Sequence, residues 1–215
     1  MPKTPQLAIL RNRIEIPRWM QICFWISLVI AIAVVMRRLV AFAHPTTGGP
    51  PNMAALDGAF ASHQALTIAH IVPAAIFVLL VPLVLKHGTV RPLIVAFYVL
   101  GAWVGLTAYA MNQYPVGGLL EQSAVWTFNT LFLLELAHSY RLWLRNSLDA
   151  RRWQIRAVAV LLGIATTRPV MGVFFATSQL THLAPQQFFG MAFWVGFLIN
   201  TVGIELWLRR RNAQI

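Results

Sequence analysis

Six stretches of about twenty mostly apolar residues run through this chain, at 19–41, 64–85, 92–112, 124–143, 155–177 and 187–208. That is the length an α-helix needs to cross about 30 Å of hydrocarbon. A bilayer core offers no water to backbone N–H and C=O groups, so each segment must satisfy its own, which makes the runs helices rather than strands. Turn-forming residues separate them. The segment from His44 to Ser62 is rich in Gly and Pro, His87-Gly88-Thr89 precedes Pro92, Pro115-Val116-Gly117-Gly118 closes the third run, and Pro185 opens the sixth. Only 11% of the 215 residues are charged, against about 25% in a soluble domain that has to cover a water-facing surface. The expectation is an all-α polytopic membrane bundle of six transmembrane helices over 19–208. A basic cytoplasmic arm at 1–18 precedes it and a basic cytoplasmic tail at 209–215 follows.

The basic residues set the orientation. Lys3, Arg11, Arg13 and Arg18 lie before the first run, and Lys86 and Arg91 flank the turn between the second and third. Arg141, Arg145, Arg151, Arg152 and Arg156 surround the next connection on that side, and Arg209, Arg210 and Arg211 end the sixth run. With six spans all of these face one side, while the three opposite loops contain no Lys or Arg. Lys and Arg remain cytoplasmic in short loops, so both termini are expected inside and the protein in the inner (plasma) membrane. Trp19, Trp143, Trp153 and Trp207 fall near the same boundary as an aromatic belt. The net charge of +11 thus reports orientation. No basic stripe lies away from a membrane edge, which argues against a nucleic-acid partner. The lipid bilayer is the expected partner, with a membrane protein or a second copy of the chain left open. Ala41-Phe42-Ala43 after an apolar run resembles a signal-peptide cleavage site, but the run exceeds the usual length of about 7–15 residues and Arg37-Arg38 interrupts it, so cleavage is disfavoured.

An ionisable group inside a membrane is costly and points to function, or else to a helix contact or a snorkelling side chain. Arg168 lies about 18 Å beyond Arg156 along a helix, too deep to snorkel easily. Thr166 and Thr167 precede it, and Pro169 biases it away from ideal helix and frees the carbonyl of Ala165. No acid stands level with it, so contact with a ligand and structural pairing both remain open. His70 falls at similar depth on the second run, with Pro73 just beyond it and His63 on the same face. Asn129, Tyr109 and Thr166 are the expected neighbours of His70 and Arg168 in one polar cavity open to the non-cytoplasmic side. Arg37 and Arg38 either join this cluster or snorkel to the headgroups, the preferred reading. Glu135 is expected to be protonated or paired. Arg156 and Glu205 open and close adjacent antiparallel runs at matching depth, which suggests a structural ion pair.

Arg152-Trp153-x-x-Arg156 followed by Thr166-x-Arg168, with Trp194, Asn200 and Glu205 in the last run, resembles the predicted multi-pass bacterial membrane proteins grouped as domain of unknown function 2306. His70 with Pro82 is similar to that family's His…Gly-Pro helix, with Val81 for the glycine, and Tyr98 fits its Gly-Arg-x-Tyr segment. The likeness covers about 63–208. Ala150 and Arg91 stand where the family has histidines, so whatever those histidines do in relatives is not expected here. The resemblance implies a multi-pass fold and no particular chemistry.

Three functions compete. The first is binding of a small molecule in an outward-facing polar pocket. The second is a non-catalytic accessory or assembly subunit of a membrane complex. The third is electron transfer by b-type haem, which requires two histidines facing each other at one depth. No Gly-rich phosphate loop, nucleophile elbow or metal-spaced Cys/His set is present, and Cys23 is the one cysteine. No catalytic or metal-ligating residue is assigned.

Overall fold

The computed structural model describes residues 16–44, 57–58, 60–86, 90–183 and 185–212. Among them are six long helices and no strand: α1 Arg18–Ala43, α2 Gln64–Lys86, α3 Arg91–Met111, α4 Gly118–Leu144, α5 Ala150–Thr181 and α6 Pro185–Asn212. Five of these, over Arg18–Ala43, Gln64–Lys86, Arg91–Met111, Ala150–Thr177 and Gln187–Arg211, are long and apolar enough to cross a membrane, as in a multi-pass membrane protein. The fourth helix has the length, 27 residues, but carries Glu121, Gln122, Asn129, Glu135 and His138 and falls short of that apolar standard. It also starts earlier than expected, at Gly118 rather than near 124. The φ of Gly118 is +63°, and with no Cβ the residue enters the helix from a left-handed conformation.

Consecutive helices pack side by side, and α1 returns to α5, closing α1 through α5 into a ring; α6 lies against α5 and α4. Phe77, Phe97 and Phe132 are almost completely buried where α2, α3 and α4 meet, with Phe77 stacked on Phe97 at 4.8 Å. Close approach elsewhere depends on glycine. A Cβ on Gly196 would stand 2.7 Å from the backbone nitrogen of Thr167, so α5 and α6 touch there at backbone distance, as membrane helices do through small residues. The first helix differs. Leu28 is its one buried residue, and Trp19, Ile22, Trp25, Ile26 and Val29 are each more than half exposed.

Three local expectations change. Helix α5 continues through Pro169, and Arg168 keeps helical backbone. Prolines are tolerated in membrane helices where packing against neighbouring helices accommodates the break, and here α5 packs along both α4 and α6. Arg37 and Arg38 do not reach outward by snorkelling; both bond the carboxylate of Asp57 in the segment before α2. That segment is partly helical at 57–58 and 60–61, where a loop was expected. Thr47, expected in the same loop, lies outside the described residues.

Candidate functional site

At the end of the bundle bearing the loops without Lys or Arg, the ring of helices encloses a cavity of about 250 Å3. The helix ends there position its polar groups. Arg38 comes from the last turns of α1, His63, Thr67 and His70 from the approach to α2 and its first turns, and Asn112 from the end of α3. Glu121 and Asn129 come from the first half of α4, and Arg168 from the second half of α5. Most of the remaining wall is apolar. Val34 and Val35 of α1 form one flank, Ala74 and Val78 of α2 another, and Phe189, Phe193 and Phe197 of α6 close a third.

Nearly every polar group in the wall has a partner. Arg38 is bonded to Asp57 and stacks over Phe60 at 4.0 Å. His63 stacks on Tyr114 at 3.6 Å. Thr67 Oγ1 donates to His63 O at 3.0 Å, Asn129 Nδ2 to Gly105 O at 2.9 Å and Asn112 Nδ2 to Gln122 O at 3.2 Å. Glu121 lies in the first turn of α4, where the helix dipole favours an acid, and its Oε2 accepts the Gly117 N–H at 2.6 Å.

His70 contacts Thr107, Nδ1 to Oγ1, at 2.9 Å. The Thr107 hydroxyl has a single hydrogen, and Trp103 O accepts it at 2.8 Å. Nδ1 is therefore assigned as the donor in the His70 contact, which leaves Nε2 of the neutral ring as an acceptor.

Arg168 stands apart. Its hydrogen-bonding contact is Nη1 to Met171 Sδ at 3.8 Å, a thioether and thus a weak acceptor; Glu121 of the same wall acts on it through space, and it forms no ion pair among the described residues. Three guanidinium groups, Arg37, Arg38 and Arg168, share this end of the molecule with two carboxylates, Asp57 and Glu121. The surplus is one positive charge.

Of the five residues expected to share a pocket, His70, Arg168 and Asn129 line this cavity; Tyr109 and Thr166 do not. Tyr109 pairs its hydroxyl with Thr130 Oγ1 at 2.7 Å and packs its ring on Trp126. Thr166 Oγ1 donates to Asn200 Oδ1 at 2.8 Å, and Asn200 Nδ2 to Ala159 O at 3.1 Å, joining α5 to α6. At the opposite end Arg156 Nε donates to Glu205 Oε2 at 3.0 Å, and Arg209 Nε to Glu205 Oε1 at 2.9 Å. Glu135 is buried, and its Oε2 has no hydrogen-bond partner among the described residues.

Thr67, Asn112, Tyr114 and Glu121 of the cavity wall, and Asp57, which bonds Arg38 of that wall, escaped sequence reading. Asp57 lies in the Gly- and Pro-rich segment from His44 to Ser62, and Glu121 in a connection whose end is the first turn of α4. The signal for Glu121 was its position just past Gly117-Gly118, where a helix start favours an acid.

Among the described residues, no two histidines face each other across this cavity. His63 and His70 approach from the same side, about 10.5 Å apart along the chain axis, and both rings are engaged. Among the described residues no group of three or more His, Cys, Asp or Glu side chains gathers to hold a metal ion. No protein-family model, no curated protein and no solved structure matches the chain.

Proposed function

We propose that the chain is a multi-pass protein of the inner membrane, spanning it six times with both termini inside, that binds a small molecule in a cavity facing the non-cytoplasmic side. On this reading α4 is the sixth span, tolerated because Glu121, Gln122, Asn129 and Glu135 are turned at least partly into the bundle, and the chain is kin to the domain of unknown function 2306 proteins. The observation that carries the proposal is the cavity wall shared by His70, Asn129 and Arg168, with Arg168 forming no ion pair among the described residues. A lipid-facing helix has no use for such a charge, whereas a binding cavity does.

The test places single cysteines in a Cys23→Ser background, since Cys23 is exposed. A small impermeant thiol reagent added outside intact cells should label Ala108→Cys, in the cavity wall. It should spare Leu106→Cys, which is 63% exposed on the outer surface of the same helix and would face lipid. An unreactive cysteine at 108 would refute a cavity open to that side.

A further inference from the structure

We infer that the ligand of this cavity is a single-chain amphiphile carrying one negative charge, its headgroup on Arg168 and its chain along the apolar wall toward α1; this rests on the binding function just proposed.

The headgroup follows from the charges. Asp57 bonds both Arg37 and Arg38, and Glu121 accepts a backbone N–H and reaches Arg168 only through space, so the cluster keeps one surplus positive charge and Arg168 has no hydrogen-bonded counter-ion among the described residues. A guanidinium in an apolar surrounding gains most from an oxyanion that accepts two of its N–H groups. One surplus charge matches a monoanion. The neutral His70 adds no second cation, and its Nε2 acceptor suits a hydroxyl or a bridging water beside the head.

The chain follows from the rest of the wall. Val34, Val35, Ala74 and Val78 offer no hydrogen bond, and Phe193 and Phe197 close the far side. A compact polar metabolite would forfeit its hydration against these residues; a hydrocarbon chain forfeits none. The volume of about 250 Å3 lies just under the range of about 300–1,000 Å3 usual for drug-sized ligands, room for one chain rather than two. The wall on the α1 side belongs to the helix with the fewest buried residues among those described, which packs chiefly on α2 and α5 and would stand next to lipid. An amphiphile dissolved in the bilayer meets the cavity there.

Equilibrium binding to the full-length chain in phosphatidylcholine nanodiscs tests this, with empty nanodiscs subtracted. The radiolabelled probes are laurate, lysophosphatidylglycerol, dodecanol and dodecyltrimethylammonium. At least one of the two anions should bind about tenfold or more tighter than dodecanol, as a charge-assisted hydrogen bond provides, and the cation weakest. Preference for laurate would identify a free acid, and preference for lysophosphatidylglycerol a lipid headgroup; either supports the inference. Arg168→Gln should remove the anion preference while leaving dodecanol binding, with tryptophan-monitored melting showing that the variant folds. Val34→Trp, which fills the cavity and keeps Arg168, should abolish binding of every probe. Equal affinity for laurate, lysophosphatidylglycerol and dodecanol would overturn the anionic class and leave the pocket standing. Failure of all four probes to bind would overturn the pocket as well.

Discussion

Glu205 holds two arginines at once, and they are unequal. Arg156 is 17% exposed and lies against the Trp153 ring, whereas Arg209 is 75% exposed. Removing the acid therefore strands a largely buried cation, while removing Arg156 leaves Glu205 with Arg209 still bound. Glu205→Gln should lower stability by about 1–2 kcal/mol after allowance for solvent screening, and Arg156→Gln by less. Replacing both should recover part of the larger loss, because an unpaired buried charge costs more than a missing pair. Detergent melting curves read the comparison, and strictly additive losses would mean the two side chains do not interact. Glu135 is the contrasting acid. It has no ion pair among the described residues, so Glu135→Gln should change stability by less than about 1 kcal/mol in the same assay. A larger loss would reveal a cationic partner. Depth along a helix was readable at this scale, since His70, Asn129 and Arg168 do meet in one wall. Facing was not. Tyr109 and Thr166 stand at suitable depth, but each turns its hydroxyl to a neighbouring helix, and a hydrogen bond between helices has no periodicity to betray it.

The helices themselves were legible because hydropathy is local: a run of apolar residues is helical in lipid whatever its neighbours do. The ends were harder, since caps and short loops depend on a few residues. That is why α4 begins a turn and a half early and brings Glu121 into the cavity. The α5–α6 seam was invisible for a related reason, because a glycine in an apolar run looks the same against lipid as against another backbone. Two glycines of α6 separate these cases. A Cβ on Gly196 meets the backbone of Thr167, whereas one on Gly203 meets nothing within 4 Å. Gly196→Ala should destabilise by about 1–3 kcal/mol through overpacking. Gly203→Ala should be neutral or stabilise by up to about 1 kcal/mol, because alanine is the better helix former. Melting of the two variants side by side would expose a wrong seam if their order were reversed.

For the molecule as a whole, the arginine count makes the strongest statement, and topology is where it can fail. Cysteines at Val116 and Gln113 should react with an impermeant reagent from outside, whereas one at Leu148 should react only after permeabilisation. Outside labelling at 148 would invert the bundle or delete a span. A different consequence lies in the size of the first helix. It has 26 residues, so it is about 39 Å long, while the hydrocarbon layer is about 30 Å thick. A helix that exceeds its solvent tilts, and the tilt changes with the thickness of the lipid around it. Helices locked into a bundle resist this, but α1 buries one residue and contributes Ala31, Val34 and Val35 to the cavity flank. Thin and thick bilayers would then set that flank at different angles. The width of the cavity becomes a property of the membrane as much as of the protein.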